Sequence, residues 1–226
     1  MHKKILGRIV HEYKGANGVY SFINPFSYLK LLKTPNIDNV DGFFIDGSFF
    51  RLIYSLFYKK ANVYSFDNSS LAPHIFNYAA NSNKSIFVIG EEKEVLSKFI
   101  INLKSNFPNL NIVGFRPGFF DKSNEDRIIK HIMKLSPDYC IVGLGTPKQE
   151  LFLSNLKSNG FKGNAFTCGG FIKQSSEKYT YYPKKIQEYN LRWLYRFIKE
   201  PHTRKRYIIY YPLFVWVFII NTIKTK

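Results

Sequence analysis

With 226 residues, 45% of them hydrophobic and 18% aromatic, the chain has enough apolar surface for a full core, which excludes a disordered or low-complexity protein. Its 33 Lys and Arg against 16 Asp and Glu leave a formal net charge of +17, so the partner sought is anionic: nucleic acid, a phosphorylated substrate or a membrane surface. The two cysteines, Cys140 and Cys168, sit in apolar runs without metal-ligand spacing, which excludes a disulfide framework and fits a reducing compartment.

The start, Met1 to Val10, is basic then apolar, but Arg8 interrupts it and no cleavage site follows. It is not read as a signal peptide, and the expected location is cytoplasmic. From Val19 the pattern predicts a strand ending at Asn24-Pro25, then a helix; Asn24 can cap that helix or hydrogen-bond a ligand. Gly42 to Ile45 is an apolar strand, Asp46-Gly47 a turn, and Ser48 opens a helix. Asp46 therefore stands at the carboxyl end of a strand, where open α/β sheets place ligands, although an N-cap by Asp46 or Ser48 explains it equally well. Asn62 to Phe66 reads as a short strand, with Asp67 and Ser69 leading into the next helix.

Ile86 to Ile89 is a buried strand, Gly90 a structural turn, and Glu91 and Glu92 are placed in the first turn of a helix reaching Phe107-Pro108. A strand at Asn111 to Phe115, an aromatic loop with Arg116 free to reach an anion, and a helix from Glu125 to Leu135 follow. The strand from Asp138 runs into Gly143-Leu-Gly-Thr-Pro-Lys-Gln-Glu150. Gly143 and Gly145 allow a sharp turn, Thr146 can cap the next helix, and Pro147 suits its first turn. Lys148 and Gln149 fall where unpaired N–H groups favour an anion, so the stretch is a phosphate-sized pocket or a turn built for geometry alone. The strand from Ala165 ends in Gly169-Gly170, where backbone can again approach closely.

Strands alternating with helices through residue 172 predict a mostly parallel sheet with helices on both faces. The division expected is a core over residues 1–177 and a basic, aromatic helical appendage over 178–226. That appendage holds Tyr179 to Pro183, Lys184-Lys185, Leu191 to Tyr207 and a final apolar run from Ile208. The final run is shorter than the ~20 residues of a spanning helix and Pro212 is expected to break it. Arg and Lys beside Trp, Tyr and Phe favour contact with an anionic membrane surface over a helix docked on the core or a dimer contact.

Several of these stretches together resemble the WecG/TagA/CpsF family of glycosyltransferases. The resemblance is carried by Asn24-Pro25, Asp46-Gly47, Phe66-Asp67, Phe87 to Gly90, Gly114 with Gly118-Phe119-Phe120, Gly143 to Glu150, Gly169-Gly170-Phe171 and Arg192 to Pro201. It implies a Rossmann-like core with a membrane-docking appendage, and an inverting transfer of a hexose or N-acetylhexosamine-type sugar from a UDP-sugar donor to a sugar on a polyprenyl diphosphate acceptor in surface polysaccharide synthesis. Inverting transfer needs one base and a set of cationic or N–H groups for the departing diphosphate. No Asp-x-Asp pair or His/Asp/Glu cluster offers a metal site, so a metal- and cofactor-free mechanism is expected.

Asp46 is the candidate base. Asn24, Gly47, Asp67, Gly143, Gly145, Pro147, Lys148, Gln149, Glu150, Gly169 and Gly170 are the candidate substrate-binding residues of the core, with Arg196, Arg204 and Arg206 from the tail. Phe22, Asn62, Lys173, Ser175-Ser176 and Tyr181-Tyr182-Pro183 depart from the family pattern, so the resemblance does not carry N-acetylmannosamine specificity. A non-catalytic peripheral membrane or nucleic-acid-binding protein is the alternative, but no base-reading motif appears and nucleic acid is not the expected partner. The Gly-x-Gly-x-x-Gly of a dinucleotide enzyme is also missing after the first strand. A homo-oligomer through the core stays open.

Overall fold

The computed structural model describes residues 1–178, 181–183, 185–186 and 192–225, with the side chain of His202 excepted. Tyr179, Lys184 and Leu191 of the basic aromatic segment lie outside the described residues. Six strands, β1 (Val19–Ile23), β2 (Gly42–Ile45), β3 (Ser85–Gly90), β4 (Asn111–Arg116), β5 (Tyr139–Gly143) and β6 (Asn164–Thr167), form one sheet in the order β2-β1-β6-β5-β3-β4. Every pairing is parallel. The four inner strands are near-continuous apolar runs because both faces of the sheet are covered.

For the helices that join β1 to β2, β3 to β4 and β5 to β6, the face covered follows from chain direction. The chain moves one way across the sheet from β1 to β2 and from β5 to β6, and the opposite way from β3 to β4. Right-handed crossovers then place the intervening helices on opposite faces. On the first face α1 (His2–Leu6), α2 (Pro25–Leu31), α3 (Ser48–Ser55), α6 (Glu125–Leu135) and α7 (Lys148–Ser158) close over Phe43, Ile45, Phe87 and Cys140. On the second, α4 (Leu71–Asn81), α5 (Lys93–Asn106) and α8 (Phe171–Glu177) close over Phe44, Ile86, Val88 and Phe166. The direction changes between β3 and β5, so the crevice of this α/β sheet opens above their carboxyl ends.

Three local expectations are corrected. Asn62 to Phe66 is not a strand: one bridge, Val63 to Ile45, forms beside β2 before Asp67 turns the chain by accepting from the Ser69 N–H at 2.8 Å. Glu91 and Glu92 precede α5, because Glu91 takes a left-handed conformation (φ 52°) that ends the strand and leaves Glu92 at the N-cap. Neither Asp46 nor Ser48 caps α3, whose N-cap is Gly47 (φ 95°).

The tail consists of α9 (Arg192–Lys199), α10 (Pro201–Lys205), a π-turn over Arg206–Tyr210 and α11 (Tyr211–Thr225). Pro212 does not break the final run. Tyr211 N–H reaches back five residues to the Arg206 carbonyl, and this widened turn carries the helix past Pro212, which has no N–H to give, without ending it. The helix from Thr203 to Thr225 is continuous over 23 residues and is long and apolar enough to cross a membrane by length and composition. In the fold one stripe of it is spent on the core. Phe214, Phe218 and Thr222 are buried four residues apart, against Tyr28 of α2, Phe50 of α3 and His2 of α1.

Candidate active site

Above the carboxyl ends of the strands lies a cleft of about 2090 Å³. That is more than the roughly 300–1,000 Å³ of a single small-ligand pocket, and gives room for two substrates together. The core supplies its floor and the tail one wall.

On the floor, Asp46 leaves β2 with its N–H bonded to the Ile23 carbonyl at 2.8 Å, so the neighbouring strand fixes where it emerges. Gly47 turns the chain with a positive φ that a side chain would strain. Burial and then the negative charge of Asp67 push the Asp46 carboxyl above the usual carboxylate range, while Arg196, Arg192 and a hydrogen bond with the Asn24 side chain oppose the rise. A carboxylate that faces a cleft with raised basicity suits a proton acceptor. Asn24 caps α2 from the end of β1: its side chain accepts from the Ser27 N–H at 3.0 Å, and Ser27 Oγ accepts from the Asn24 N–H at 2.8 Å.

The glycine-rich loop divides into parts with different uses. A Cβ on Gly143 would meet Ile172 Cδ1 at 2.8 Å, and one on Gly90 the Gly143 carbonyl oxygen at 2.6 Å, so both glycines let protein pack against protein. Gly145 (φ 73°) and Gly169 (φ 52°) instead need left-handed backbone with open space beside them, and both line the cleft with Gly170. Thr146 does not cap α7. Pro147 occupies the N-cap, and Thr146 Oγ1 donates to Glu150 Oε1 at 3.1 Å because that carboxylate lies directly beneath.

Glu150 is fully buried and is absent from the cleft lining. Its Oε1 accepts from Ser21 Oγ, Thr146 Oγ1 and Gln149 Nε2, and burial raises its pKa. It organises the loop from below. Lys148 and Gln149 line the cleft in the first turn of α7, the one exposed, the other buried with its Oε1 unpartnered among the described residues.

The tail wall carries Arg192, Arg196 and Arg206. Arg192 binds Asp67 Oδ2 at 2.9 Å and the hydroxyls of Ser65 and Ser69, which engages the candidate Asp67 in holding the tail over the cleft. Arg196 forks onto both oxygens of Glu200, whose Oε1 also accepts from Gln174 of α8 and Tyr181. Arg206 lies with its guanidinium 4.5 Å from the Phe26 ring centroid.

Of the tail cations read from sequence, the structure therefore brings Arg196 and Arg206 to the cleft and leaves Arg204 outside. Arg204 turns back to donate to the Phe197 and Ile198 carbonyls at the end of α9. Arg116 does not line the cleft either. Sequence reasoning missed Arg192 as a cleft residue, although its spacing of four from Arg196 in the basic aromatic run places both on one helical face. Among the described residues no three His, Cys, Asp or Glu side chains come together as metal ligands would.

The model of the glycosyl transferase WecG/TagA/CpsF family matches residues 2–226 of this chain. Among curated proteins it is similar to the UDP-Gal:alpha-D-GlcNAc-diphosphoundecaprenol beta-1,4-galactosyltransferase of Shigella boydii, at 35% identity over 210 residues, 92% of this chain and 88% of the relative. It is also similar to the N-acetylglucosaminyldiphosphoundecaprenol N-acetyl-beta-D-mannosaminyltransferase of Bacillus subtilis (strain 168), at 31% identity over 134 residues, 58% of this chain and 51% of the relative.

Proposed function

Because this chain belongs to the WecG/TagA/CpsF family and is a glycosyltransferase, we propose that it moves a hexose, galactose first among the candidates, from a UDP-sugar to a sugar carried on a polyprenyl diphosphate. The observation that carries this reading is the meeting of Asp46, with its raised basicity, and three tail arginines across one cleft. Asp46 takes the proton of the attacking acceptor hydroxyl. The hydroxyl oxygen bonds to the anomeric carbon from the face opposite UDP, the bond from that carbon to the UDP oxygen breaks, and the configuration inverts. Arg192, Arg196 and Arg206, whose planar forks match phosphate oxygens, receive the charge left on the diphosphate, which is the part a metal ion plays elsewhere. The loop around Gly145, Lys148 and Gln149, with Gly169-Gly170 opposite, holds the donor.

The outer face of α11 carries exposed Leu213, Trp216 and Ile223, and Lys199, Arg204 and Lys205 lie on the preceding helices. This supports a peripheral seat on the anionic cytoplasmic face of the cell membrane, where the acceptor resides. The experiment is UDP release from a panel of UDP-sugars with detergent-solubilised polyprenyl-diphosphate-linked N-acetylglucosamine, with and without EDTA. Release that requires the acceptor and survives EDTA is expected. Release lost in EDTA overturns the metal-free mechanism, and no release with any donor in a folded protein overturns the substrate assignment.

A further inference from the structure

Resting on the acceptor reading above, we propose that the apolar rim between α3 and the π-turn seats the isoprenoid chain of the acceptor. The cleft is polar and charged at its floor, yet one edge of its lining is aliphatic and aromatic: Phe49 and Leu52 from α3, Ile208 from the π-turn and Pro212 from α11. Leu52 is 61% exposed and Ile208 64%. Large apolar side chains that line a cleft and still face water have surface to give to an apolar ligand. The edge is also fixed in place. Phe49 stacks on Tyr211 with ring centroids 5.1 Å apart, and beneath it Phe50 packs on Phe214 at 4.7 Å.

The placement of charge selects the occupant. Arg51 adjoins Leu52 on the cleft wall, and Arg206 precedes Ile208 by two residues. Cations inside and aliphatic groups at the rim match a diphosphate head joined to an apolar tail. A sugar nucleotide can stack its base on a ring, but it has no aliphatic chain to lay against Leu52 and Ile208. The rim also leads outward. Tyr211, Phe214 and Phe218 meet Phe49, Phe50 and, just past the end of α3, Phe57 in the same order along both segments, so α3 and α11 run in one direction. Leu56, four residues beyond Leu52, and Trp216, four beyond Pro212 and 64% exposed, continue the two rows away from the cleft.

The test compares acceptors that share a head and differ in their tail. Leu52→Gln and Ile208→Gln, singly and together, are assayed in detergent and in phosphatidylglycerol vesicles with a long-chain polyprenyl-diphosphate sugar, and in detergent with the same sugar diphosphate on a short, water-soluble alkyl chain. Both positions are exposed, so unchanged thermal melting is expected of the variants. The double variant is expected to raise KM for the long-chain acceptor roughly ten-fold and to leave KM for the short one unchanged. Equal changes with both acceptors, or none with either, overturn the proposal. A defect confined to phosphatidylglycerol vesicles and missing in detergent assigns the rim to the bilayer surface and also overturns it. Transfer to neither acceptor by the unsubstituted protein overturns instead the acceptor reading beneath it.

Discussion

The two sides of the cleft are held by different physics. On the floor, Asp46 is placed by a backbone hydrogen bond to β1, and the glycine loop by Glu150, which gathers Ser21, Thr146 and Gln149 in the interior. On the tail side, Arg196 is placed by the Glu200 carboxylate, and Arg192 by the Asp67 carboxylate with the Ser65 and Ser69 hydroxyls. A proton acceptor works only at one distance and angle, and the sheet provides that. Cations that receive a diphosphate need charge and reach more than fixed geometry, and ion pairs at the edge of the cleft suffice for them. The carboxylates keep the guanidinium groups in place before substrate arrives, and they also compete with its phosphates.

Substitutions test this contrast in order of expected effect. Asp46→Asn is expected to lower kcat by ~10²–10⁴-fold while calorimetry finds donor affinity unchanged; full turnover would remove Asp46 from the base role. Arg196→Ala, which deletes a charge-assisted fork from the tail wall, is expected to lower kcat/KM by roughly ten- to a hundred-fold, with Arg196→Lys in between. An equal loss from Arg204→Ala would show that net tail charge, not placement in the cleft, is what counts.

Glu150→Ala is expected to act on stability first, costing about 1–3 kcal/mol in denaturant unfolding, because it strips the shared acceptor from buried Ser21 and Gln149 and from half-buried Thr146. Since burial raises the Glu150 pKa, its protonated form favours the folded state. That contribution is complete below the ordinary value of about 4.3 and is lost as pH rises through the raised value, so Glu150→Gln should flatten the dependence. The smallest effect is a shift. Asp46 acts deprotonated, so kcat/KM rises with pH through its raised pKa, and Asp67→Asn, removing a neighbouring negative charge, should move that acid limb to lower pH.

The strand ends that make the floor were legible in the sequence because each is local, whereas the Ser21–Glu150 bond beneath them, 129 residues apart, was not. A strand ending in Asn24-Pro25, in Asp46-Gly47 or in Gly143-Leu-Gly145 announces both its own end and the edge at which it stops. The tail was less legible because its phase depends on joints. A new helix starts at Glu200-Pro201, which resets the helical face and turns Arg204 outward while Arg206 returns to the cleft. Pro212 reads as a helix breaker in any window that holds a regular α-helix, and only the π-turn before it removes the conflict. The pairing of Arg192 with Asp67 spans 125 residues, a separation on which local pattern is silent.

The cap at the start of α2 has a consequence for how the base is tuned. The side-chain oxygen of Asn24 is committed to the Ser27 N–H, so its amide nitrogen is the end left to serve Asp46. Helix initiation thereby dictates which way round the amide stands, and a residue that would otherwise be free to flip becomes a one-way donor to the carboxylate. The two duties separate on substitution. Serine at this position can still begin the helix but has no second group to offer, whereas aspartate begins it as well and sets a like charge beside the base.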